Sequence, residues 1–412
     1  MIPKNLFFSG IGGAGMAPLA ELLWARGFRI SGSDEVSGAN TKRLAALGIG
    51  IHIGHDARNL PSSTEMLVFS SAVPPGNCER REAAARGIAE MRRGELLAEF
   101  SRFYRRSVAV SGSHGKSSIS AMTAHILREN RFFPGVMIGA KLYGAPDADN
   151  GQGDDLFICE ADESDGTHAL LETELGIVPN VDGDHAWSVG GEEKLFGNFR
   201  TFAHNARHLI AGNSPLCRKL FSDHRDVRFL AEAPENFAGM QGFQATDAFF
   251  AVEAAKFFGV SERDAVGALQ NFGGVARRMH LVSDENGVAV VEDYAHHPAE
   301  VAASICLLRK KFPDRHLEIV FQPHRYARLE RYFDDFVSVL SAADSVIVAD
   351  VFSAWSETGK RGGKELSEAI GGARFGGNDF AWIARLAKEN PARPLVIAVL
   401  GAGSIDQVLG YL

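Results

Sequence analysis

The chain has 412 residues, a formal net charge of −8 at pH 7, and 45% hydrophobic against 23% charged residues. Its length exceeds one ordinary core and suggests two or three domains, and its composition is that of a globular protein rather than a disordered one. The acidic balance argues against a nucleic-acid scaffold, while small anionic ligands need only a local positive site. Cys78, Cys159, Cys217 and Cys306 show no paired spacing, so neither a disulfide framework nor a zinc site is expected. No apolar stretch is long enough to span a bilayer and no leader-like segment opens the chain, so a cytoplasmic location is expected.

Short β-rich runs alternate with amphipathic stretches from end to end, the pattern of parallel sheets joined by crossover helices. The first unit reads as a strand over residues 6–9, a glycine loop, a helix over 17–26 and a strand over 28–31. The loop, Gly10-Ile11-Gly12-Gly13-Ala14-Gly15, satisfies G-x-G-x-x-G between a strand and a helix. Glycines let the backbone approach a diphosphate, and the helix start supplies N–H groups and the positive end of a dipole. Asp34 follows the second strand, where an acidic side chain would hold an adenine ribose. These residues alone fit NAD. Diphosphate binding is the part they support directly, and the nucleotide stays open.

A second beginning appears at residues 107–110, which lead into Ser111-Gly112-Ser113-His114-Gly115-Lys116-Ser117-Ser118 and a helix over 118–129. A phosphate loop needs backbone N–H groups around phosphates, a lysine on the transferred phosphoryl group and a hydroxyl on Mg²⁺. Lys116 and Ser117 supply the last two. The full Walker spacing wants glycine at Val110, so this is a shortened variant. After the apolar run 156–159 come Glu160, Asp162, Glu163 and Asp165. An acid just past a buried strand in such a domain can hold Mg²⁺ directly or through water; a charged surface loop is the plain alternative. The next strand, 175–178, leads to Asn180, Asp182, Asp184 and His185, and His185 reads either as a metal or phosphate ligand or as an ordinary loop residue. Between residues 205 and 245 the pattern is mixed and predicts no definite elements.

A third beginning, at residues 288–291, follows a polar stretch over 277–287, which places domain boundaries near residues 104 and 276. Strand ends in this last part carry polar clusters. Asp293, Tyr294, His296 and His297 follow one strand; Gln322, His324, Arg325, Tyr326 and Arg328 follow another; Asp350, Trp355 and Glu357 a third; Gly401, Gly403 and Ser404 the last. Ligands bind beyond the carboxyl ends of open parallel sheets, so the clusters describe one site. The His296–His297 pair predicts hydrogen bonding rather than metal ligation, with packing or helix capping as the alternative for one of the two. Arg325 is the natural anion binder, because its planar fork matches carboxylate or phosphate oxygens.

Taken together, the stretches 10–16, 31–34, 54–55, 70–72, 112–118, 160–165, 277–278, 293–298, 322–326 and 401–405 resemble the Mur ligases of peptidoglycan synthesis, in the same order over nearly the whole chain. The resemblance implies an α/β fold of three domains. Residues 1–104 would form an N-terminal Rossmann-like domain for a UDP-sugar, and 105–276 a central P-loop ATPase-like domain with a mainly parallel sheet. Residues 277–412 would form a C-terminal Rossmann-like domain that closes over ATP and the amino acid. In place of NAD, Gly12, Gly13, Gly15 and Asp34 would hold the diphosphate and uridine, with His55, Ser70 and Ser71 lining the same cleft. ATP would lie along Gly112, Ser113, His114, Gly115, Lys116, Ser117 and Ser118, with Arg278. Mg²⁺ would be held by Ser117, Glu160 and His185. Tyr294, His296 and Arg325 would hold the amino acid and the reacting groups. The implied reaction joins L-alanine to the lactyl carboxylate of UDP-N-acetylmuramate through an acyl phosphate, with Lys116, Glu160, His185, His296 and Arg325 as the catalytic set. Bringing two anions together requires such a cationic, Mg²⁺-rich centre. No nucleic-acid partner or membrane insertion is implied, and the chain is expected to be a monomer or weak homodimer.

Departures from the family fall in the central domain. The stretch between His185 and Arg277 is short. Phe243, Gln244 and Asp247 stand where the family has a His-Asn pair and a second Asn near adenine, and Gly183 replaces an acid before the Asp-His pair. No lysine takes the place of the carbamate-modified lysine of several relatives. Two other family readings are a recycling ligase that adds a tripeptide and a Mur-like protein that binds UDP-sugar without catalysis. Tyr294 and the 322–326 run favour the alanine-adding branch, and Lys116, Ser117, Glu160 and His185 favour a catalyst.

Overall fold

The computed structural model describes residues 2–152, 155–353 and 358–412, and the chain divides into two compact units, residues 1–273 and 274–412. The first unit contains two large sheets. One has five parallel strands, β1 (Asn5–Ser9), β2 (Arg29–Asp34), β3 (Gly50–Ile53), β4 (Met66–Phe69) and β5 (Ala89–Arg92), in the order β3-β2-β1-β4-β5. Strand order reverses between β1 and β4, and a ligand crevice opens at such a point beyond the carboxyl ends. Leu6, Phe7, Phe8, Leu67 and Val68 are buried, as in a parallel sheet covered on both faces. The helix Met16–Ala25 buries Leu19, Leu22 and Leu23. It ends where Gly27, at φ +79°, lets the Phe28 N–H return to the Leu23 carbonyl. Strand β2 starts one residue later than its pattern predicts and runs on to Asp34, which puts that acid at the ligand end.

The second sheet has seven strands: β6 (Arg106–Val110), β7 (Gly135–Met137), β8 (Ala148–Asp149), β9 (Leu156–Glu160), β10 (Thr173–Val178), β11 (Ala206–Gly212) and β12 (Val227–Leu230). Their order is β12-β11-β10-β6-β9-β7-β8, parallel except for β8. A hairpin of β13 (Asn236–Phe237) and β14 (Met240–Gln241) precedes the helix Phe243–Phe257. That helix shares an apolar core with Lys116–Glu129. The two sheets of the unit meet along an aromatic seam. Phe100 and Tyr104 lie 5.4 and 5.0 Å from Phe157 of β9, ring centre to ring centre. The Tyr104 hydroxyl donates to the Asn150 carbonyl, and Asn150 Nδ2 to the Leu22 carbonyl. Gly94 comes so close to Thr167 that a Cβ there would run into its hydroxyl.

The second unit is built on a six-stranded sheet of β15 (His280–Glu285), β16 (Val288–Asp293), β17 (His316–Phe321), β18 (Ser345–Ala349), β19 (Arg374–Gly377) and β20 (Leu395–Leu400). The order is β15-β16-β20-β17-β18-β19, with β15 an antiparallel edge. Val320, Ile347, Ile397 and Val399 are buried at its centre. Among the described residues no helix is long and apolar enough to cross a membrane. All four cysteines are unpaired. Trp355 and Glu357 lie outside the described residues.

Candidate functional site

Val110, the last residue of β6, pairs with Glu160 on one side and Ile177 on the other. The loops after β6, β9 and β10 therefore leave one edge of the sheet side by side. The first turns through Gly112 and Gly115, at φ +130° and +88°. It is braced from the β10 end: the Ser113 N–H donates to the Asn180 carbonyl at 3.2 Å and the His114 N–H to Asn180 Oδ1 at 2.8 Å. The His114 ring lies 2.9 Å from Asp182 Oδ2. Burial raises the Asp182 pKa, but His114 and neighbouring donors outweigh it and hold the carboxyl well below its ordinary range. The first N–H groups of a helix have no carbonyl behind them, so Lys116, Ser117 and Ser118 offer donors and the positive end of a dipole to an anion.

Lys116 Nζ folds back over the loop, 2.7 Å from the Gly112 carbonyl, 3.3 Å from that of Ser113 and 2.8 Å from Glu163 Oε2. Burial pushes the Glu163 carboxyl up to about 7, against the pull of the Lys116 charge. For Lys116 burial works the other way, and Glu163 with its acidic neighbours leaves the ammonium above its ordinary value. The pair is a charged clamp across the phosphate loop.

Ser117, Glu160 and His185 stand at the helix start, the end of β9 and the loop after β10. Glu160 Oε1 accepts from the Gly139 N–H at 2.9 Å. His185 Nε2 lies 3.5 Å from Asp184 and 3.8 Å from Glu163. Among the described residues no cluster of three or more His, Cys, Asp or Glu side chains forms a preformed cage. Mg²⁺ takes one or two carboxylates with water and substrate phosphates rather than an all-protein cage, so a hydroxyl, carboxylates and an imidazole on this edge fit that ion. His185 holds φ +64° without being glycine.

In the first sheet the Gly12 N–H donates to Asp34 Oδ2 at 2.8 Å, so Asp34 braces the glycine loop itself. A Cβ on Gly12 would lie 2.9 Å from that carboxylate oxygen and from Thr41 Cγ2. The Gly13 carbonyl accepts from Met16 and Ala17 at the helix start. The Ser70 N–H donates to Ser9, and the Gly54 N–H to the Asp34 carbonyl at 2.8 Å, which sets His55 beside β2. Gly12, Asp34, His55 and Ser70 thus gather at the carboxyl ends of β1 to β4, while Ser71 is exposed. Arg93 reaches in from the start of the helix Arg93–Ser101: a Cβ on Gly15 would sit 3.0 Å from its Nη1. Its Nη2 donates to Asp165 Oδ2 at 2.6 Å and Thr167 Oγ1 at 3.2 Å, with Asp162 3.7 Å away. One guanidinium spans the first glycine loop and the acid loop.

In the second unit Asp293 is 3% exposed and accepts from the N–H groups of Met279 and Ala295, both at 2.7 Å. Burial pushes its carboxyl up to about 6, against Arg278 and those two donors. It shapes the loop that carries Tyr294, whose ring faces the Arg277 and Arg278 guanidinium groups at 5.2 and 5.1 Å. The His296 ring is 5.3 Å from Tyr294 and 5.4 Å from His324, and His324 stacks on Phe352. His297 instead accepts from the Ala299 N–H and caps the helix Pro298–Lys311. Arg325, at φ +70°, donates its N–H to the Phe352 carbonyl at 2.9 Å. Arg277 Nη2 donates to the Gly401 and Gly403 carbonyls at 2.6 and 3.0 Å. The clusters after β16, β17, β18 and β20 therefore meet at one end of the sheet.

Family models match at residues 6–105, described as the Mur ligase family catalytic domain, and at residues 277–403, described as the Mur ligase glutamate ligase domain. A UDP-N-acetylmuramate–L-alanine ligase of Acidithiobacillus ferrooxidans is 35% identical over 448 residues, covering 98% of this chain and 96% of the relative. One from Methylococcus capsulatus is 35% identical over 450 residues, at 98% and 94% coverage. Both alignments run longer than the 412 residues of this chain, which therefore lacks segments the relatives carry. Among solved structures, the UDP-N-acetylmuramate-alanine ligase of Thermotoga maritima superposes with a TM-score of 0.83 at 22% identity, covering 99% and 98% of the two chains. A murein peptide ligase from Psychrobacter arcticus gives 0.73 at 19% identity, covering 99% and 98%. Two paired glycine loops, a lysine clamp and full-length relatives at this identity agree: the chain belongs to the Mur ligase family of ATP-dependent ligases.

Proposed function

We propose that this chain joins L-alanine to the lactyl carboxylate of UDP-N-acetylmuramate at the expense of ATP. The relatives that carry that name align over almost the entire chain, and this observation carries the reading. In it, residues 1–104 hold the UDP-sugar through Gly12, Gly13, Gly15, Asp34, His55, Ser70 and Ser71. Residues 105–276 bind ATP along the loop 112–118, with Lys116 on the phosphoryl group that moves. Tyr294, His296 and Arg325, within 277–412, orient the amino acid. The lactyl carboxylate takes the γ-phosphoryl group, the alanine amine attacks the resulting acyl phosphate, and phosphate leaves. Bound at Ser117, Glu160 and His185, Mg²⁺ would neutralise phosphate charge. Free cysteines, which suit a reducing compartment, and water-soluble substrates support a cytoplasmic enzyme.

With UDP-N-acetylmuramate and ATP present, L-alanine should release phosphate at least about tenfold faster than a muropeptide tripeptide, a gap set by an acceptor pocket that fits one residue. Preference for the tripeptide in a phosphate-release assay would transfer the chain to the recycling branch. Nucleotide choice should be loose. Phe243 and Gln244 open a helix at positions where a His-Asn pair is expected, and Asp247, in place of the second Asn, is buried against the Gly115 turn. Missing one or two hydrogen bonds to the base, the enzyme should turn over GTP within about tenfold of ATP. Selectivity for ATP beyond about a hundredfold, measured as relative kcat/KM, would mean another segment reads the base.

A further inference from the structure

We propose that Glu79 is a positioning residue of the sugar-nucleotide site, fixing His55 in the Nδ1–H tautomer so that its Nε2 accepts a hydrogen bond from the nucleoside. This rests on the reading that residues 1–104 hold the UDP-sugar. Glu79 is the second residue of the helix Cys78–Ala85, whose cap Asn77 accepts the Glu79 N–H at 2.8 Å. The cap aims its side chain inward, and the carboxylate is fully buried, 0% exposed, beneath the ligand ends of β1 and β2. It accepts from Ser9 Oγ at 2.6 Å, Ser33 Oγ at 2.7 Å and Asn59 Nδ2 at 2.9 Å, and His55 Nδ1 lies 2.9 Å from Oε2.

Hydrogen positions follow from this set. A carboxylate accepts only, so the Ser9 and Ser33 hydroxyl hydrogens point at Glu79. The Ser33 oxygen, 3.0 Å from His55 Nδ1, is then left with lone pairs on that side. Two acceptors face Nδ1, and the proton belongs there. In a neutral imidazole the other nitrogen is the acceptor. Nδ1 is turned toward a fully buried group while the His55 side chain keeps 21% exposure, so Nε2 lies on the open side of the ring. Gly54 ties this segment to the Asp34 carbonyl, at the edge of the crevice described above. The complementary ligand group is an N–H or O–H, which uridine offers at its imide and its ribose hydroxyls. Burial alone would raise the Glu79 pKa, yet the hydrogen bonds from Ser9, Asn59, Ser33 and His55 leave it lowered, in keeping with an ionised carboxylate held for its geometry.

Two experiments test this on the full chain. Nitrogen-15 NMR of the ligand-free wild type should show His55 as the Nδ1–H tautomer, the minor form of free imidazole in water; a resonance pattern of the Nε2–H form overturns the assignment whatever the ligand. In steady-state kinetics, Glu79→Gln should raise KM for UDP-N-acetylmuramate about tenfold, the loss expected for one ligand hydrogen bond, with kcat and the KM for ATP within about twofold. In a His55→Ala background the same substitution should change KM no further, because Glu79 acts through His55. Additive losses, or a fall in kcat alone, would make Glu79 a structural residue and overturn the proposal. Failure of the wild type to bind the UDP-sugar in calorimetry would remove the functional reading, while the tautomer result would stand by itself.

Discussion

Lys116→Ala should lower substrate-dependent phosphate release by about 10³-fold or more, the scale of removing a preorganised charge from a phosphoryl site. UDP-N-acetylmuramate affinity should stay within about twofold, since the partners of Lys116 among the described residues, Gly112, Ser113 and Glu163, belong to the loops of the second sheet. The variant should also remain folded. Lys116 is the cation that holds the Glu163 carboxyl at about 7 despite burial. Without it, that carboxyl rises further and takes up a proton at neutral pH, so no bare charge is stranded. Glu160→Gln should behave alike in turnover. Phosphate release measured beside calorimetric titration of the UDP-sugar separates chemistry from folding. Normal turnover in either variant would take this loop out of the mechanism, and joint loss of binding and turnover would indicate a collapsed unit.

Arg93→Ala should strongly destabilise the first unit. The guanidinium, its side chain only 13% exposed, is enclosed by Asp165, Asp162, Thr167 and the Gly15 turn. Breaking a buried pair from one side leaves an uncompensated carboxylate and costs about 3 kcal/mol. That loss corresponds to a melting midpoint lower by roughly 6 °C in a unit of this size. Thr167 lies against Gly94, so the acid loop should also shift away from the first glycine loop and turnover should fall beyond what unfolding explains. Arg93→Lys keeps a charge without the fork and should fall between. Differential scanning calorimetry decides it: an unchanged midpoint would mean that the bridge contributes nothing to holding the two sheets together.

What was legible in the sequence was the set of strand ends. Parallel strands are buried on both faces and read as short apolar runs, and each polar cluster marks where such a run stops. The strand ends single out Glu160, Tyr294 and Arg325 as candidates, and the glycine-loop motif singles out Lys116. The braces were not legible there. Glu79 sits in Glu79-Arg80-Arg81-Glu82, which reads as an ordinary charged helix turn; nothing in that run says that the Asn77 cap sets the Glu79 carboxylate fully inside. Arg93 looks equally like surface charge, because its partners lie some seventy positions further along the chain. The motif places Asp247 near the adenine end of the phosphate loop without saying what it touches; its helix sets it against the Gly115 turn. Between 205 and 245 a strand and a helix of seven residues each give way to pieces of two to four residues, and a change of element every few positions leaves periodicity little length in which to accumulate.

His185 and Arg325 hold left-handed backbone conformations that glycine adopts freely and other residues adopt at a cost of roughly 1–3 kcal/mol each. Such positions set heat tolerance against work. A laboratory library screened only for survival at high temperature would enrich glycine at 185 and 325, and would do so by discarding an imidazole and a guanidinium from the loops proposed to meet the substrates. A screen for a sturdier ligase therefore has to score turnover and melting together, or it will return well-folded proteins that have stopped being enzymes.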